Sequence, residues 1–161
     1  MNEHNSLFIL FPYFMMHRIN TIINNHIFRT KIVDTPEKIQ QGMMGATFDE
    51  TFDSMLFIFP KKMDDPQAYD ESNIYGDMHY ESVAKERNKY HCFWMKNCII
   101  PLDMIFIKNN LVQEVHHSCE PCLVENNCKN YCGFSDYVLE VVGGTCKNYG
   151  IGVGNIVNFR K

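Results

Sequence analysis

Apolar positions along this chain fall in short runs broken by Asn, Gly, Pro and charged clusters, a rhythm that predicts strands more often than helices. Ile27 to Val33 is rich in β-branched residues and roughly alternates, as a half-buried strand does. A helix start follows it: Thr35 can cap free backbone N–H groups, Pro36 suits the first helical position, and Glu37 sits near the positive end of the dipole. Gly42 is placed to end that helix. Ser54 to Phe59 is a continuous apolar run stopped by Pro60, which predicts a strand buried on both faces. Met104 to Ile107 and Leu111 to His116 flank Asn109-Asn110, a pair that tolerates the positive φ of a tight hairpin turn. Tyr137 to Val142 predicts a further strand broken by Gly143-Gly144, Lys147 to Gly150 at most one helical turn, and Asn155 to Arg160 a closing strand. The expected fold is mainly β: a single jelly-roll-like β-sandwich or squat barrel with one or two short helices.

The same pattern divides the chain. Residues 1–25 are expected as an apolar N-terminal extension and residues 26–161 as the β domain, interrupted by a polar loop at about 61–90 with one helix near Glu81 to Arg87. Within the extension, Leu7 to Met16 is half the length of roughly 20 residues that a membrane-spanning helix needs. Glu3 replaces the basic start of a secretory signal and no small-x-small cleavage site follows, so a segment packing on the domain or on a partner is the preferred reading.

Composition sharpens this picture in three respects. With 161 residues, 45% hydrophobic and 13% aromatic, one core can form without crosslinks. A net charge of −4 with no Lys/Arg cluster argues against a nucleic-acid-binding role. Seven cysteines is an odd number, so at least one thiol is left over unless it meets another chain or a metal. An oxidising compartment or particle surface would favour disulfides, and the cytoplasm free thiols or metal ligands.

Candidate chemistry concentrates at Trp94-Met95-Lys96-Asn97 with Asp103. One cation, one amide and an aromatic wall would suit an anionic or polar ligand. The competing reading buries Trp94 in the core, lays Lys96 across it, and spends Asn97 and Asp103 on irregular backbone. Met43, Met44 and Met55 fit core filling better than a ligand groove. The loop cysteines Cys119, Cys122, Cys128 and Cys132 allow a disulfide between Cys122 and Cys128, a zinc site using all four, or free thiols. Outer bridges Cys119–Cys132 and Cys92–Cys98 would complete a disulfide set. Gly150 to Gly154 lacks the strand-loop-helix setting of a phosphate loop, and neither a G-x-S-x-G elbow nor an H-E-x-x-H pair is present. A Cys-His hydrolase built from Cys92 or Cys98 with His91 or His116 lacks an orienting third group.

The motif order resembles the DUF192 (UPF0127) family of small domains. The likeness is carried by Asp34-Thr35-Pro36-Glu37 with Gln41-Gly42-Met43-Met44, by Ser54 to Pro60, and by Phe93 to Asn97 with Pro101-Leu102-Asp103. It continues through Pro121-Cys122 with Cys128 and Tyr131, then Tyr137 to Glu140 and Gly150 to Gly154. Departures are the insertion at 61–90, Met43 in place of the family's usual leucine, and the added Cys92, Cys98, Cys119, Cys132 and Cys146. The resemblance implies a jelly-roll-like sandwich and no reaction. The expected role is a non-enzymatic binding or accessory module with a recognition surface around Trp94 to Asp103 and no cofactor. A structural or particle-associated protein held by disulfides is the alternative, and a small enzyme a third.

Overall fold

The computed structural model describes residues 18–59, 89–123 and 128–161. The start of the expected extension and nearly all of the expected insertion, with its helix near residue 81, lie outside them. The strands are β1 (Arg18–Ile23), β2 (His26–Val33), β3 (Ser54–Ile58), β4 (Tyr90–Trp94), β5 (Leu102–Lys108), β6 (Leu111–Cys119), β7 (Asn130–Phe134), β8 (Tyr137–Val142) and β9 (Val157–Arg160). The helices are α1 (Pro36–Gln41) and α2 (Thr145–Asn148). Seven strands form one sheet in the order β6-β5-β8-β3-β2-β1-β9, and β4 pairs with β7 in a separate two-stranded ribbon.

The large sheet curls into a half-barrel. Backbone bonds from Gly154 to the Val112 carbonyl (2.8 Å), from Val112 to Asn155 (2.9 Å) and from Val157 to Asn110 (2.8 Å) draw its two ends together. The mainly-β expectation is therefore met.

Local sequence accounts for the turns. Asn109 and Asn110 hold φ of 52° and 59° at the β5–β6 hairpin, and Asn24 and Asn25 hold 49° and 62° at a β1–β2 hairpin. That second hairpin places Arg18–Ile23 in the sheet, paired to β2 and β9, where sequence reading had continued the extension to residue 25. The α1 signals act as read: Thr35 Oγ1 accepts from the Lys38 N–H at 3.4 Å, and Gly42 turns the chain with φ of 44°.

β2 and β3 pair in parallel, so α1 and the loop after it cross over one face of the sheet. Across β1, β2 and β3 the buried hydroxyls of Thr21, Thr30 and Ser54 satisfy one another, Thr30 to Thr21 at 2.7 Å and Thr30 to Ser54 at 2.8 Å.

Both faces of the sheet are covered. On β5, Leu102, Met104 and Phe106 belong to one core and Ile105 and Ile107 to the other. The inner core joins Ile23, Phe28, Leu56, Leu139, Val141, Cys146 and Val157. The outer core lies beneath the ribbon and takes in Val33, Met43, Met55, Phe57, Met95 and Tyr131. Gly133 on β7 faces the Phe106 ring so closely that a Cβ there would lie 2.8 Å from it, which sets how near the ribbon can approach the sheet.

Candidate functional site

The β4–β7 ribbon alternates as a strand pair must, with one face on the core and one towards solvent. Inward, His91 stacks on Phe59 with ring centroids 3.5 Å apart, and Phe93 meets Phe57 edge-on at 4.8 Å. Burial lowers the pKa of His91 and so favours its neutral form. Outward, Tyr90 pairs in register with Phe134, Cys92 with Cys132, and Trp94 with Asn130. The Tyr90 and Phe134 rings lie 4.8 Å apart, and a disulfide joins Cys92 to Cys132.

This outer face leaves Tyr90 51%, Trp94 47% and Phe134 49% exposed. The competing reading that buries Trp94 is thus corrected: the alternation that sends Phe93 inward sends Trp94 outward, and Met95 fills the core in its stead. Lys96 places its Nζ 5.3 Å from the centre of the Trp94 ring, within cation–π reach.

Asn97 holds a φ of 55°, a conformation asparagine tolerates better than most residues. Its N–H donates to the Cys122 carbonyl at 2.9 Å and its carbonyl accepts from the Gly45 N–H at 2.8 Å. The segment after Trp94 is thereby stitched to the α1 loop and to the cysteine loop at once. Asp103 is fully buried and accepts the N–H groups of Ser118 (2.7 Å), Gly144 (3.0 Å) and Cys146 (2.7 Å). Trp94 and Lys96 therefore come together at the surface, while Asp103 is withdrawn from it to brace the start of α2.

The cysteines sort by position. Cys122 bonds Cys128, while Cys98, Cys119 and Cys146 are buried free thiols. The outer bridges expected from sequence, Cys92–Cys98 and Cys119–Cys132, give way to Cys92–Cys132, because those two residues face each other across the ribbon. The four-cysteine zinc set is divided the same way, three of its members being spent on disulfides. Burial pushes the Cys98 thiol up to about 11 and the Cys119 thiol up to about 12, which keeps both protonated and poor nucleophiles. Cys92, in its disulfide, has no thiol for a Cys-His pair.

Glu140, absent from the candidate site read from sequence, is buried in the middle of β8 with no partner for its Oε2 among the described residues. Desolvation pushes its carboxyl up to about 8, which favours the protonated form. A charged residue inside an otherwise apolar strand was the available signal.

A curled half-barrel carrying an aromatic ribbon over its outer core defines the class: a small mainly-β domain with a displayed strand pair. The DUF192 family profile, described as an uncharacterized ACR, matches residues 82–159 and supports the resemblance to that family. A crystal structure of a protein of unknown function from Novosphingobium aromaticivorans DSM 12444 shares the fold at a TM-score of 0.61 and 20% identity, covering 91% of this chain and 89% of that one. A second, from Sinorhizobium meliloti 1021 and described as a candidate transcription regulator, aligns at a TM-score of 0.57 and 22% identity, covering 88% of this chain and 92% of that one. No curated protein matches the chain by sequence.

Proposed function

We propose that this chain is a non-enzymatic binding module whose recognition surface is the outer face of the β4–β7 ribbon and the Lys96–Asn97 turn beyond it. The observation that carries the reading is the exposure of three aromatic side chains, Tyr90, Trp94 and Phe134, on one rigid strand pair. Large rigid aromatics and a cation held over one of them are the groups that concentrate binding energy in protein interfaces. A disulfide across the same pair limits the ordering cost of association. The favoured partner is a protein segment presenting apolar side chains and acceptors for Lys96. Two disulfides also support a working place that is oxidising.

A photo-crosslinking residue placed at Trp94, and separately at the exposed Val153, tests this. Specific adducts are expected from position 94 and not from position 153, and Phe134→Ala should abolish them with an unchanged melting temperature. Equal labelling from both positions, or none from position 94, would sink the proposal.

A further inference from the structure

Where β5 pairs with β6, the register slips between Leu102 and Met104: Leu102 faces Cys119 and Met104 faces His116, so His117 and Ser118 both lie opposite Asp103. This is a β-bulge, and Ser118 holds it with a φ of 46°, an uncommon conformation for a residue other than glycine. Such bulges re-aim side chains. Here the two residues opposite Asp103 serve it differently: Ser118 gives it an N–H, and His117 brings an imidazole to it. The side-chain donor atoms of Asp103, His117 and Cys146 all lie within 4.8 Å of one another, drawn from β5, the β6 bulge and the first turn of α2.

We propose that Asp103, His117 and Cys146 form a binding site for a single borderline divalent metal ion of the zinc class. The donor set is one carboxylate oxygen, one imidazole nitrogen and one sulfur, the mixture that suits such an ion and not a hard alkaline-earth cation. Three protein ligands leave a fourth tetrahedral position open to solvent or to a ligand. Asp103 is already fixed by three N–H groups, two on Oδ1 and one on Oδ2, which leaves acceptor capacity on Oδ2. Those same bonds supply the outer support that orients a metal ligand. Tetrahedral bonds to one nitrogen, one oxygen and one sulfur place ligand atoms about 3.3–3.6 Å apart, so atoms already within 4.8 Å of one another need close by no more than about 1.5 Å. His117, exposed at the rim, can supply it by rotation, while the two buried ligands stay in place. On binding, the Cys146 thiol loses its proton to solvent and the sulfur lone pair forms the metal bond. Helix capping by Asp103 alone would require neither the bulged histidine nor the thiol.

Titration of the disulfide-intact full chain with Co²⁺, followed by Zn²⁺ displacement, tests the site. One Co²⁺ per chain is expected, with tetrahedral visible bands, a near-ultraviolet thiolate charge-transfer band and release of about one proton. His117→Ala should weaken binding at least about tenfold without unfolding the chain, because the side chain is exposed. Cys146→Ser should remove the charge-transfer band. Should that variant not fold, mass-mapped alkylation of the unaltered chain replaces it, with Zn²⁺ expected to slow labelling of Cys146 and not of Cys98 or Cys119. The proposal is overturned by a failure to bind either ion at millimolar concentration, by a spectrum without thiolate character, by alkylation of Cys146 that Zn²⁺ does not slow, or by affinity indifferent to His117→Ala.

Discussion

Glu140 sits within β8 among Val138, Leu139 and Val141, and its burial makes folding sensitive to proton concentration in an uncommon direction. Its carboxyl ionises near 4.5 in the unfolded chain and only at about 8 in the folded one. Between those values the unfolded chain carries fewer protons, so the stabilisation is complete below the lower value and is lost as pH rises through the window. The full effect is on the order of 5 kcal/mol. Urea midpoints measured near pH 5 and pH 8 should fall with rising pH, and Glu140→Gln should flatten that slope. Trp94 and Met95 give the second contrast at this scale, since adjacent residues carry opposite expectations. Met95→Ala should cost about 2–5 kcal/mol, and Trp94→Ala less than about 1 kcal/mol, by chemical denaturation. The reading that buried Trp94 rested on its bulk, whereas the strand period, with Phe93 and Met95 inward, turns it outward.

At the level of elements, the strands that were legible are those whose pattern is set by their own residues: the apolar run of β3, the β5–β6 pair around two asparagines, and β8 before its glycines. β1 went unread although Asn24-Asn25 repeats the turn signature of Asn109-Asn110, because the apolar stretch before it resembled an extension. β7 was hidden by Cys132, which drew attention to loops and metals as one of a cysteine cluster when it marks a strand opposite β4. Of the candidate site, Trp94 and Lys96 were legible together, and the competing reading had already given Asp103 to irregular backbone, while its partners at residues 144 and 146 were too distant in sequence to foresee. Gly133 is the element-scale position most open to test. Gly133→Ala would push a methyl group against Phe106 and Glu114, at 2.8 and 3.0 Å, and should destabilise by about 1–3 kcal/mol. The single tryptophan, on the paired strand of the same ribbon three residues along from the partner of Gly133, should report the displacement by a shifted emission maximum.

Across the whole molecule, the cysteines divide into four that are bonded and three that are buried as thiols. Alkylation after denaturation without reductant should therefore add three labels, and after reduction seven, as read by intact mass. The native chain should take up label far more slowly, since burial holds the Cys98 and Cys119 thiols at about 11 and about 12.

Both covalent links lie outside the seven-stranded sheet, one across the ribbon and one in the loop leading to it. Mild reductant would consequently leave the barrel standing while loosening the panel it displays. A sample handled in thiol-containing buffer could look native by far-ultraviolet dichroism and yet have lost its grip on whatever the aromatics hold.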